Sequence, residues 1–184
     1  MRKVTTLAGA AVVLLVGMGA KGCGTTTVVN KPVSASKSSG TSATTAPKAA
    51  HVGDTLALSD GNGNKMNVTL VKIIDPAQGA DQYTTPDTRK RFVGIELQLA
   101  GTKGTLSGDV NTEVSAVGSN NQTYTPDFDS IAGCTNFNDG AYTLTAGQSS
   151  TGCVTLQVPT GVTIVQVNDN PAVFGGSQGE WKVP

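Results

Sequence analysis

Few side chains in this sequence have the types and spacing to do chemistry. His51 is its single histidine, and it stands where a Ser/Thr/Ala-rich run gives way to the first alternating segment. Ser/His/Asp or Cys/His catalysis would hang on that one imidazole, whose position is that of a solvated linker residue. "DGNGNKMNVTLV" offers Asp60, Asn62 and Asn64 at the first three oxygen positions of a calcium loop. Lys65 then takes the place of the turn glycine and Val71 that of the bidentate glutamate, so the stretch reads as a hairpin turn. Asp127 and Asp129 in "TPDFDS" are the nearest thing to paired carboxylates, and they fall in a loop without supporting signals. "GNGNK" lacks phosphate-loop spacing and precedes a strand. The sequence therefore gives no catalytic residue, no metal ligand and no cofactor, and the chain is expected not to be an enzyme. A small envelope hydrolase or ligand-sequestering protein using loop carboxylates is the alternative.

The elements around these residues begin with a leader. Arg2 and Lys3 precede an uncharged, small and aliphatic run from Val4 to Ala20, the layout of a secretory signal. The run is short for a spanning helix and diluted by Thr5, Thr6, Gly9, Gly17 and Gly19. The "GAKGC" that follows resembles the lipobox of bacterial lipoproteins. That resemblance implies a signal peptide over residues 1–22, cleavage after Gly22, and a diacylglyceryl group on the thiol of Cys23. Lys21 and Ala20 depart from the usual box, which leaves an ordinary signal-peptidase cut or an uncleaved anchor as alternatives. Cys23 is also the odd member of three cysteines, and lipidation gives it a role. Two acyl chains hold a protein stably on a bilayer where one does not. The expected location is the outer face of the cell membrane, with a secreted form as the variant.

Residues 23–50 read as a flexible Ser/Thr/Ala-rich tether with no periodic apolar face. As a coil of about 27 residues it would span roughly 25–30 Å. Charge divides at the same boundary. No acidic residue precedes His51, and from there on 7 basic residues face 13 acidic ones, a net of −6. A mildly acidic domain is a poor match for phosphate backbones, so no nucleic-acid partner is expected.

Residues 51–184 carry repeated period-two alternation, the pattern of half-buried strands. "RFVGIELQL" sets Val93, Ile95, Leu97 and Leu99 on one face; "CVTLQVP" does the same with Val154, Leu156 and Val158. "NKMNVTLVKII" places Met66, Val68 and Leu70 together and then changes phase, which predicts a bulge near Val71. "DTLAL", "TEVSAVG" and "GVTIVQV" are further strands, separated by Gly/Asn/Ser turns. Cys134 and Cys153, a pair in an exported chain, are expected to form a disulfide. Cys153 alternates with Val154, so the bridge should staple the "IAGCTNFNDG" loop to the outer side of a strand. These features predict an all-β sandwich.

"HVGDTLAL", "MNVTLVKI", "RFVGIELQL", "LTAGQSSTGCVTLQVP" and "GEWKV" resemble the successive landmarks of the bacterial "domain of unknown function 4352" group, of the immunoprotective extracellular, immunoglobulin-like superfamily. The resemblance implies an immunoglobulin-like sandwich on a secreted or lipid-anchored envelope protein, and no catalytic residues. The antibody order Cys, Trp, Cys is absent, since Trp181 follows both cysteines. Such a domain would present loops to an unknown envelope or extracellular protein. Candidate contacts are Tyr83, Arg89, Lys90 and Arg91 in the long "PAQGADQYTTPDTRKR" excursion, and Phe128 and Phe137 near the stapled loop.

Overall fold

The computed structural model describes residues 26–33, 49–171 and 176–184; the leader and Cys23 lie outside them. In chain order the strands are β1 (Thr27–Val29), β2 (Ala50–His51), β3 (Thr55–Ser59), β4 (Lys65–Ala77), β5 (Lys90–Lys103) and β6 (Thr105–Asp109). A single helical turn, α1 (Val110–Glu113), leads into β7 (Val114–Gly118), β8 (Thr123–Tyr124), β9 (Pro126–Asp127), β10 (Ala141–Thr145), β11 (Ser149–Pro159), β12 (Ile164–Asp169) and β13 (Ser177–Lys182). One sheet has the order β3-β4-β5-β11-β9 and the other β1-β13-β12-β7-β8, with β2 also on β13, and β6 pairs with β10 as a separate two-stranded sheet. The sheets pack face to face as the expected β-sandwich.

The inward faces are those that alternation marks. Met66, Val68, Leu70, Val93, Ile95, Leu97, Leu99, Leu156 and Val158 are all fully buried. The pairing of β4 with β5 slips between Leu70 and Lys72, so the bulge falls at Val71, where the phase of the sequence changes. Lys72 then points outward to Glu96 at 2.9 Å, and Ile73 returns to the core opposite Ile95. Trp181 from β13 is wholly buried in this core, and its indole N–H donates to the Asp54 carbonyl at 3.0 Å.

Three expectations need correction. Part of the segment read as tether belongs to the sheet, because β-branched Thr27, Val28 and Val29 pair in parallel with Ser177–Gly179. Ala50 is buried in β2, on the same edge of β13, and its N–H donates to the Asn30 carbonyl at 2.9 Å. The chain is thus at the same edge of β13 at Asn30 and again at Ala50. His51 is a strand residue in register with Lys182, its N–H bonded to the Asp54 carboxylate at 2.8 Å, and is not part of a free linker.

Candidate functional site

The two loops named from sequence form one surface. The excursion between β4 and β5 meets the loop after β9 through a bridge of Gly79 to Ile131. Backbone bonds from Ala80 to Ser130 (2.9 Å) and from Ala132 to Gln78 (2.8 Å) continue the contact. Beneath it, Ile131 packs with Phe92 and Ala77 into a small second core. Phe92 lies on the face of β5 that alternation leaves outward, and burial there follows from this cover. Gly94, also on that face, has no Cβ because the Ile131 side chain occupies its place.

The Cys134–Cys153 disulfide joins this loop to the outer face of β11. Cys153 N–H donates to the Thr135 carbonyl at 2.9 Å, so backbone as well as sulfur holds the staple. A Cβ at Gly152 would stand 2.9 Å from the Thr135 carbonyl oxygen, which explains a glycine within this strand.

The basic cluster divides by geometry. Arg91 is engaged internally: its Nε and Nη2 donate to the two carboxylate oxygens of Asp75 at 2.6 and 2.7 Å, Nη1 to the Pro159 carbonyl at 2.8 Å, and Nη2 also to Val162 at 2.7 Å. The hydrogen-bonded Asp75 carboxylate raises the Arg91 pKa against the opposing effect of burial. This residue ties β5 to the ends of β4 and β11 and is not available to a partner. Lys90 pairs with Asp87 at 2.8 Å, which holds its ammonium above the ordinary range. Arg89 is exposed and has φ of 65°, and its carbonyl accepts from the Thr160 N–H at 2.9 Å and the Thr160 hydroxyl at 3.1 Å.

Tyr83 stands 83% exposed at the crest of the excursion. Asp81 shapes that crest by accepting from the N–H groups of Tyr83 and Thr84, both at 2.8 Å, and those bonds hold its carboxyl below the usual range. Phe128, 86% exposed, is the second projecting aromatic ring, whereas Phe137 is buried in the main core and is withdrawn as a contact. Arg89, Tyr83 and Phe128 therefore remain as outward groups on adjoining loops.

Under Phe128 lies a cleft of about 130 Å³ lined by Asn111, Asp127, Ser130, Asn136, Asp139 and Thr155, among others. The Thr155 hydroxyl in it is buried and has no partner among the described residues. Sequence reasoning missed Thr155, because its burial depends on the stapled loop. Asp127 is anchored by Gln157 Nε2 at 2.6 Å, and Gln157 in turn accepts from the Asp87 N–H at 2.8 Å. Asp129 is held above its ordinary range by burial and then by the nearby Asp127 and Asp87. The calcium-like stretch is a turn: Asp60 Oδ1 accepts from Asn62 N–H at 2.8 Å and Asn64 N–H at 3.2 Å, and Oδ2 from the Asn64 amide at 2.6 Å.

The two ends of the sandwich are distinct. Thr27 is in register with Ser177, whose hydroxyl accepts from Ser59 N–H at 2.7 Å, and Ser59 pairs with Lys65. The start of β1 is therefore at the Lys65–Lys103 end of the β4–β5 pair. The excursion joins those strands at the other end. Thirteen residues of β4 at about 3.3 Å each separate the two by roughly 40 Å. No helix among the described residues is long and apolar enough to cross a membrane.

No family model matches the chain. No curated protein matches it either. Among solved structures it is similar to an uncharacterized β-sandwich protein from Clostridium difficile 630, with 12% identity, a TM-score of 0.42, and coverage of 77% of this chain and 99% of that one.

Proposed function

We propose that this protein is a lipid-anchored envelope protein whose immunoglobulin-like domain holds a non-catalytic protein-binding surface away from the bilayer. The observation that carries the reading is the opposition of the two ends. Only residues 24–26 separate Cys23 from β1, a link of at most about 14 Å. A lipid on Cys23 would thus hold the Lys65–Lys103 end against the headgroups and turn Tyr83 and Arg89 outward. The lipobox-like "GAKGC" and the disulfide agree with an exported location.

Two measurements test it. Cys23→Ser should move the protein from the membrane fraction to the medium; retention would favour an uncleaved helix. Pull-down from envelope extract with the full chain should recover a protein that the Tyr83→Ala, Arg89→Ala double variant loses. Identical recoveries would remove this surface from the proposal. The cleft under Phe128 favours a second reading, a sequestering site for a small polar ligand held by Asp127, Asp139 and Thr155. Saturation-transfer NMR with a panel of monosaccharides and amines, repeated with Thr155→Val, decides it; no transfer from any probe rejects this reading.

A further inference from the structure

Three strands carry outward residues to one level beside the stapled loop. Lys72 on β4 pairs with Glu96 on β5, and Glu96 pairs with Cys153 on β11, so the register sets an ammonium, a carboxylate and a sulfur in one row. Cys134 reaches the same point from the loop. Its Sγ stands 3.7 Å from Glu96 Oε2, and the two sulfurs and a Glu96 carboxylate oxygen all lie within 4.8 Å of one another. Lys72 Nζ holds Glu96 Oε2 at 2.9 Å. An open groove of about 340 Å³, lined by Lys72, Glu96, Cys134, Thr135 and Thr151 among others, leads to this cluster.

These separations are close to those of a tetrahedral zinc site. With Zn–S of about 2.3 Å and Zn–O of about 2.0 Å, tetrahedral angles put two ligand sulfurs about 3.8 Å apart, and a sulfur and a carboxylate oxygen about 3.5 Å apart. Once their bond is broken, the two sulfurs reach that spacing by side-chain rotation. Backbone contacts hold the loop to the strand independently of the sulfurs: Cys153 N–H donates to the Thr135 carbonyl at 2.9 Å, and Asn136 bridges to Cys153. The charges also match. Two thiolates and Glu96 carry three negative charges, and a zinc ion with the Lys72 ammonium carries three positive ones. Lys72 is then the outer partner that fixes a ligand carboxylate.

We propose that the dithiol form of this protein binds one zinc ion through Cys134 Sγ, Cys153 Sγ and the Glu96 carboxylate, with water from the groove in the fourth position. The staple then has two forms, disulfide and zinc-bridged. Thiolates select zinc over calcium or magnesium, and a carboxylate beside them suits zinc better than monovalent copper. The dithiol form arises by exchange with a dithiol reductant. Cys153 is 3% exposed, so the reductant's thiolate attacks the half-buried Cys134 Sγ from the groove. The bond between Cys134 and Cys153 breaks as the mixed disulfide forms, and Cys153 leaves as a thiolate. The reductant's second thiolate then displaces Cys134 and closes the reductant's own disulfide. Two electrons pass to the protein, and zinc takes the place of protons on the two sulfurs.

The test uses the full chain in detergent, reduced with a dithiol, freed of reductant without air and dialysed against zinc chloride. Elemental analysis should give one zinc per reduced chain and none for the disulfide form. Cobalt(II) in place of zinc should give thiolate-to-metal absorption and the visible bands of a tetrahedral ion. Amide exchange at Ala132, raised by reduction, should fall again when zinc is added. Cys134→Ser should abolish zinc binding, and Glu96→Gln, which keeps both thiols, should weaken it by roughly tenfold or more, at least the loss that follows from disturbing an outer partner. Cys23→Ser should leave it unchanged. A reduced wild type that takes up no zinc above background overturns the proposal, whether or not its loop has melted. So does equal uptake by the disulfide form, binding that survives in Cys134→Ser or is unchanged in Glu96→Gln, or binding that is lost in Cys23→Ser.

Discussion

Arg91 shows how a residue's type can be legible while its role is not. "RKR" gives three adjacent positive charges, but charge alone does not say where the partners are. The Asp75 that takes up Arg91 lies 16 residues away, across a bulged strand pair. With its side chain about four-fifths buried and four hydrogen bonds made, Arg91→Ala should cost about 2 kcal/mol in urea unfolding, the usual loss for a partly buried pair broken on one side. Arg91→Lys should recover only part of this, since an ammonium cannot reproduce the bidentate fork. Lys90→Ala, which removes an exposed pair, should leave the unfolding midpoint unchanged. A large loss at Lys90 with none at Arg91 would reverse this assignment.

At the scale of elements, strands with one buried face were readable because their period is two: the core faces of β4, β5 and β11 and the bulge at Val71 follow from side-chain alternation alone. Three features needed the folded structure. β1 is only three residues long within a polar, low-complexity run, so its β-branched signal is lost in the composition. The burial of Phe92 and Thr155 depends on a loop that arrives from a distant part of the chain. The union of excursion and stapled loop rests on backbone bonds, which no residue type announces. That union makes the disulfide matter beyond its own loop. Its 19-residue separation corresponds to about 3 kcal/mol in the chain-entropy account. Cys134→Ser with Cys153→Ser should lower stability by about that amount and raise amide exchange at Ala80 and Ala132, which hold the two loops together. Gly94→Val should raise exchange at the same amides by displacing Ile131, with the disulfide intact.

The whole molecule gives the low-complexity segment a meaning that composition cannot supply. A flexible run after a lipidated cysteine reads as a spacer whose length sets the height of the domain. Here Asn30 and Ala50 are hydrogen-bonded neighbours on one edge of β13, so the chain stands no farther along the sandwich at Ala50 than at Asn30. Under the proposed anchoring, height depends on residues 24–26 and on the sandwich's own length. Deleting residues 34–48 should therefore leave the distance from a bilayer dye to a fluorophore at Tyr83→Cys unchanged in energy transfer on vesicles. Inserting a ten-residue Gly/Ser linker after Gly24 should lengthen it by up to about 15–20 Å, the r.m.s. span of such a linker. If the deletion drew the fluorophore toward the bilayer and the insertion did not push it away, β1 would not be the fixed point, and the 40 Å between the two ends of the sandwich would no longer set where the loop surface stands.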